Sequence, residues 1–393
     1  MRGLTGTVQH FDWGDRTEIP RILGIEPDGQ PWAEYWLGSH HAGPSMFDDE
    51  PGLTLDAYLE QHPDEVGAAS LDAYGARLPF LMKLLSASSP LSIQVHPNRE
   101  QAVEGYAKES LIGLPLSHPE RSYKDDWPKP ETIIALTPFE GLLGFRDPQE
   151  TAELFEGLGV AHELASVIGP LRERTESLAL QEVFLDVLTI RRRRPLVDLV
   201  LARAVEYLDA GGALGEFART AVEIDEFFPG DPGILAALLM NRFTLQPGES
   251  VSLQPGVLHA YLRGTGIEVM ASSDNVIRGG LTHKHIDVDG LLGMVDFSSL
   301  IPQIQHPEGA DGVYRYPTSF PEFEVWQLTP VTDRGVDMPR EETSRIALVT
   351  DGECTLIGRD EVTLGKGQAV FVPANENVRV CGAGRLFVSA AGC

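Results

Sequence analysis

Gln94 and His96 stand two apart in Leu91-Ser92-Ile93-Gln94-Val95-His96, a short apolar run bounded by Pro90 and Pro97. Such a run reads as a strand. Its period of two sends Gln94 and His96 to one face while Ile93 and Val95 point to the other. A polar pair facing an interior needs a partner. A metal ion would supply one, and so would a backbone group beside an ordinary core histidine. Lys83 lies in LPFLMKLL, where every other residue is apolar; it either snorkels to the surface or faces a polar cavity. Asp274, Arg278 and Lys284 fall within SSDNVIRGGLTHK, a largely polar stretch with a glycine pair inside it. Without more context that stretch is a solvated loop with internal ion pairs. The run Arg191–Arg194 is the one basic block, and it reads as a solvated helix junction offset by nearby acids rather than as an anion site.

The charge balance narrows what these residues can serve. Over 393 residues, Lys+Arg 31 against Asp+Glu 58 gives a net charge of −27. Such a surface repels phosphate backbones and anionic lipid, so nucleic-acid and membrane partners are not expected. A small phosphorylated substrate is compatible only with a locally basic pocket. Hydrophobic residues at 42% and charged residues at 23% match an ordinary folded protein. No apolar run approaches the ~20 residues of a membrane span; Gly233 to Met240 is among the longest. The N-terminal MRGLTGTVQHFDWGDR lacks the apolar centre of a signal peptide. Three cysteines near the C-terminal end (Cys354, Cys381 and Cys393) fit a reducing compartment better than a disulfide framework. A cytoplasmic monomer is expected.

The elements that must position these groups alternate in texture. Residues 1–145 are rich in Pro, Gly and aromatics with short apolar runs. A helical texture follows: Leu180, Val183, Phe184, Val187 and Leu188 form one apolar face at three- and four-residue steps. Pro195 opens a further helix that should stop at Gly211-Gly212. Asp231 is expected as the N-cap, and Pro232 as the first residue, of another. From Leu245 onward strands return. The fold expected is mainly β with a helical insertion. Residues 1–145 and 226–305 would form one discontinuous domain, 146–225 the helical insertion, and 306–393 a second β-domain.

Two late segments, LQPGESVSLQPGVLH from Leu245 and LGKGQAVFVPA from Leu364, share a Gly turn, a short apolar strand and a Pro-containing turn. This pattern resembles the second motif of cupin barrels and implies two jelly-roll barrels. The ligand position of the first copy is His259. The matching neighbourhood of the second, Asn375-Glu376-Asn377-Val378, has no imidazole, so metal is expected only in the first. With Glu131 of Lys129-Pro130-Glu131-Thr132 as a fourth candidate, two imidazoles, a carboxylate and a carboxamide make a plausible zinc set with room for water or substrate oxygen. One carboxylate against Zn²⁺ leaves a residual +1, suited to stabilising an anionic intermediate.

Four segments together, AEYWLGSH, LPFLMKLLSASSPLSIQVHP, KPETIIALTPFEGLLGFR and QPGESVSLQPGVLHAYLRGTGIEVMASSDNVIRGGLTHKHIDV, closely resemble the type I phosphomannose isomerase family in order and spacing across residues 1–300. The resemblance implies a zinc-dependent aldose–ketose isomerase acting on a small phosphosugar. Its zinc ligands would be Gln94, His96, Glu131 and His259. Arg278 matches the family's essential arginine. Asp274 and Lys129 fall at catalytic positions, and Trp13, Lys83, Glu268 and Lys284 at substrate-lining positions. Asp274, Glu268 and a zinc-bound water are all chemically adequate as the base. Two departures stand out. Trp127-Pro128 precedes Lys129 where the family usually has Asn-His, and His283 replaces a proline. A non-catalytic sugar-binding protein and an iron-dependent cupin oxygenase are the rival readings; the intact ligand set argues against the first and Gln94 against the second.

Overall fold

The long strand His259–Ala271 organises the region that carries the candidate residues. In this computed structural model, which describes residues 1–189, 194–330 and 334–393, that strand pairs with four others. Its first half lies against Ile93–Val95 and Phe139–Phe145, and its second half against Phe80–Ala87 and Glu131–Ala135, all antiparallel. The change of partners occurs at a register shift between Tyr261 and Arg263, where an extra residue bends the strand. Gly264 follows at φ +125°, and a Cβ there would come within 2.7 Å of the Phe139 backbone. Only glycine fits this corner.

The resulting ten-stranded sheet is accompanied by an eight-stranded and a four-stranded sheet built mainly from residues 308–390. The fold is mostly β with several helices. Among the described residues no sheet path closes on itself. The N-terminal strand Arg2–Thr5 does not stay with its sequence neighbours. It pairs with Ala369–Val372 in the eight-stranded sheet, and Met46–Phe47 pairs with it in turn. Leu4, Phe47, Leu84, Ile267, Phe371 and Phe387 share one buried apolar cluster, so the two large sheets hold a common core.

The helical face expected around Leu180 is buried as read, within Glu176–Thr189. The helix opened by Pro195 spans Arg194–Ala204 and ends in a 3₁₀ turn, Val205–Tyr207, short of the expected stop; Gly211 and Gly212 instead open the next helix, Gly212–Asp225. Asp231 is not the N-cap of the helix expected after it, although its carboxylate accepts the Gly233 N–H at 2.6 Å. That helix runs Gly233–Leu238, one residue later than expected, with Pro232 in the N-cap position. The helices rest on Ile93, Val95, Leu258 and Ile277, so the insertion packs against the back of the strand bearing Gln94. Arg191–Arg193 lie outside the described residues; Arg194 is exposed, 3.8 Å from Asp198.

Both copies of the late repeat use their glycine alike, Gly248 at φ +92° and Gly367 at φ +84°, each before a short strand, Ser250–Leu253 and Ala369–Val372. The second copy has the buried apolar Val378 where the first has His259. All three cysteines are free. Among the described residues no helix is long and apolar enough to cross a membrane.

Candidate metal centre and adjoining cleft

His96 directly follows the strand Ile93–Val95, His259 opens His259–Ala271, and Glu131 opens Glu131–Ala135. Strand pairing sets His259 opposite Gln94, next to His96, and Glu131 opposite Met270 at the other end of the long strand; the three side chains nonetheless converge. Their ligand-capable atoms lie within 4.8 Å of one another, and all three residues are buried. The His96 Nδ1 lies 2.7 Å from the Asn275 carbonyl and the His259 Nδ1 3.2 Å from that of Val257. A carbonyl only accepts, so both Nδ1 atoms carry the proton and both Nε2 atoms present lone pairs. Those lone pairs face the two oxygens of Glu131, at 3.4 Å from His96 and 3.5 Å from His259. Among the described residues the His96 Nε2 has no hydrogen-bond partner. Burial lowers the pKa of both imidazoles, that of His96 to about 4, so neither supplies a proton to the gap. Burial alone would raise the Glu131 carboxyl, but the Lys129 ammonium, 3.2 Å away, overrides it and the carboxyl stays well below the ordinary range. Acceptors converging from three sides, with no proton between them, make a cation site.

Gln94 is the cross-strand partner of His259 on one side and of Arg278 on the other. Its amide nitrogen donates to Ser92 Oγ at 3.4 Å, so Oε1 is its free acceptor among the described residues. Gln94, Lys129, Glu131 and His259 line a cavity of about 50 Å³ together with Lys83, Glu268, Glu34 and Tyr261. Lys83 corrects the surface-snorkelling alternative: it is buried, 2.9 Å from Glu268 and 3.5 Å from Glu34. Burial would push its ammonium down, yet the two carboxylates outweigh burial and raise its pKa. Burial raises the Glu268 carboxyl, with Lys83 opposing. The Tyr261 hydroxyl donates to the second oxygen of Glu268 at 2.9 Å.

A wider cleft of about 530 Å³ adjoins this cavity, sharing Glu34, Leu91, Ser92 and Gln94 in its walls. Trp13, Arg278, His283 and Lys284 line it, with Phe11, Phe227 and Phe228 as an apolar rim. Arg278 is on the strand Ile277–Gly280, not in a solvated loop. Burial lowers its pKa, and among the described residues no neighbouring acid opposes this. Arg278 in turn pushes the Lys284 ammonium down. Two cations crowd one wall and, among the described residues, neither is in an ion pair, while Asp12 and Glu34 also line the cleft; the cationic wall is suited to an anion. Asp274 is not among the residues lining either space. Its carboxylate sits 3.5 Å from His40 Nε2 and 3.8 Å from His41 Nε2.

Residues 1–148 match the family described as "Phosphomannose isomerase type I, catalytic domain". The mannose-6-phosphate isomerase of Escherichia coli (strain K12) is 34% identical, across 98% of each chain. The chain belongs to the mannose-6-phosphate isomerase family. The enzyme of Rattus norvegicus is 30% identical over 95% of this chain and 94% of its own length. A crystal structure of mannose 6-phosphate isomerase bound with zinc and yttrium aligns at a TM-score of 0.89 and 31% identity, covering 100% of both chains. A zinc-bound holo structure aligns at 0.89 and 30% identity, covering 100% of this chain and 99% of that one.

Beside these members of the mannose-6-phosphate isomerase family, two residues of the cavity were missed by sequence reasoning. Tyr261 follows His259 by two on one strand, so the period that singled out Gln94 and His96 would have found it. Glu34 carried no such signal. It reaches Lys83 only because Glu34–Gly38 pairs with Phe80–Ala87, and Trp36 Nε1 holds its other oxygen at 2.7 Å.

Proposed function

We propose that this chain is a zinc-dependent mannose-6-phosphate isomerase that interconverts mannose 6-phosphate and fructose 6-phosphate through a cis-enediol(ate). The observation that carries the reading is the convergence of two imidazole lone pairs on both oxygens of a buried carboxylate. One zinc ion per chain, held by Gln94, His96, Glu131 and His259, would supply a Lewis acid beside the substrate's O1 and O2. Charge supports this choice. In the inner cavity the carboxylates Glu34, Glu131 and Glu268 exceed the ammoniums Lys83 and Lys129 by one, and a divalent ion turns that into one net positive charge.

The residues divide the work by location. Arg278 and Lys284 bind the phosphosugar on the cleft wall, Lys284 toward the phosphate, while Trp13 offers an apolar face to the ring. Arg278 shares a strand face with Gln94, which suits it to the negative charge that develops at the reacting end. Lys129 Nζ, already beside Glu131, donates to a substrate oxygen. Of the carboxylates open as the base, Glu268 lines the cavity and its raised pKa favours taking the C2 proton and returning it at C1. Asp274, against His40 and His41, is the less favoured candidate. We also propose the division into a discontinuous domain of residues 1–145 and 226–305, a helical insertion of 146–225 and a second β-domain of 306–393. A pair of cupin-type jelly rolls is the arrangement that the repeated glycine turns support. A cytoplasmic location belongs to the same reading.

A coupled assay with C2-deuterated mannose 6-phosphate tests the function. Fructose 6-phosphate should form, with deuterium moved to C1 or exchanged with water. Binding of the sugar phosphate without turnover would favour the non-catalytic alternative.

A further inference from the structure

The Nε2 of His96 can face Glu131 only while its Nδ1 is held, and the group that holds it is the carbonyl of Asn275. Asn275 is fully buried. Its amide is saturated by one loop. Nδ2 donates to the carbonyls of Asp125 at 2.9 Å and Trp127 at 2.8 Å, while Oδ1 accepts the Lys124 N–H at 2.7 Å. Asp125 returns the contact, accepting the Asp274 N–H at 2.9 Å and the Ser273 hydroxyl at 2.8 Å. The carbonyl that orients His96 is therefore fixed by the loop Lys124–Trp127 and not by strand pairing.

The loop itself is held by Trp127. Two guanidiniums lie over its ring, Arg99 at 4.0 Å and Arg77 at 4.7 Å from the centroid, with the Tyr74 ring at 5.4 Å. Arg99 also grips the neighbouring residue, donating to the Asp126 carbonyl at 2.6 Å and carboxylate at 3.1 Å. Arg99 opens the helix Arg99–Leu111 only three residues beyond His96. The chain thus approaches the imidazole from both sides, through Asn275 and through Arg99, and the two routes meet on Trp127. This is where the sequence departs from the family pattern, with Trp127-Pro128 preceding Lys129.

We infer that Asn275 and Trp127 are positioning residues for the metal ligand His96, with Trp127 clamping the loop through which Asn275 acts. The inference rests on His96 being a zinc ligand. Removing groups that orient a ligating histidine typically weakens metal affinity ~10–100-fold. The experiment is a chelator-competition titration of zinc against the full chain and its Trp127→Ala, Trp127→Phe and Asn275→Asp variants, with the apo-protein melting temperature measured in parallel. Trp127→Ala should bind zinc about 10–100-fold more weakly, and Trp127→Phe should recover most of that affinity by restoring a ring under the arginines. A folded Asn275→Asp should behave like Trp127→Ala; if it does not fold, the tryptophan pair decides. A merely structural role would lower the apo melting temperature and leave zinc affinity within twofold of the parent, and that result overturns the inference. His96→Ala separates the two claims. If it keeps stoichiometric zinc, the metal assignment has failed. If it loses zinc while Trp127→Ala binds normally, only the positioning role has failed.

Discussion

Replacing Arg278 with alanine should separate stability from catalysis in opposite directions. In the free protein its guanidinium is half-buried, burial lowers its pKa, and no acid among the described residues offsets that burial. It also pushes down the ammonium of Lys284 on the same cleft wall. A group in that situation costs the fold something, so Arg278→Ala should leave the unfolding free energy within about 0.5 kcal/mol of the parent or raise it. Catalysis should fall. A preorganised donor that meets charge developing in the transition state is typically worth ~10²–10³ in rate, about 2.7–4 kcal/mol. That loss should be seen in both kcat and kcat/KM. Lysine at this position should recover little, since it keeps the charge but not the planar fork. Steady-state kinetics in the coupled assay, paired with urea unfolding, measure both. A loss of several kcal/mol in stability, or kcat/KM within threefold of the parent, would refute the reasoning. A raised KM with unchanged kcat would move Arg278 to uniform binding of the phosphate.

Two further outcomes follow from the buried charges. Lys83→Met leaves Glu268 and Glu34 facing each other without their cation, and denaturant titration should register a loss of about 3–5 kcal/mol; a neutral result would mean that the carboxylates are already compensated elsewhere. The His40 imidazole is depressed by burial, with Asp274 opposing, from 6.5 to about 4. The unfolded chain therefore binds that proton first, and stability falls as pH drops through this window. At about 1.4 kcal/mol per pH unit, His40 contributes roughly 3 kcal/mol to the decline. His40→Asn should flatten the unfolding free energy between pH 6.5 and 4 by a comparable amount, and an unchanged slope would assign the decline to other groups.

What could be read from residue types was set by the range of the interaction that positions them. The Gln94–His96 pair and the Leu180 face depend on strand and helix period, which are local, and both lie where that period puts them. His259 was found through a glycine turn repeated at Gly367, again a local signal. Lys83 resisted because its burial depends on Glu34, 49 residues away, and Glu268, 185 residues away. Nothing near Lys83 announces either carboxylate. Asp274 and Glu268 were indistinguishable as bases because both are acids in the same segment; only the strand His259–Ala271 turns Glu268 into the cavity and leaves Asp274 beyond its end. The pairing of Arg2–Thr5 with Ala369–Val372 was illegible for the same reason, since a strand of four residues carries no mark of its distant partner.

The central claim is that His96, Glu131 and His259 hold a metal on which turnover depends. Metal content and isomerisation of mannose 6-phosphate should be measured on one preparation, before and after dialysis against a chelator and after zinc is restored, alongside His96→Ala and His259→Ala. The account predicts one zinc per chain, loss of activity with its removal, recovery on its return, and neither zinc nor activity in the two variants. Full turnover by the metal-stripped protein, or stoichiometric zinc with normal turnover in either variant, would contradict it.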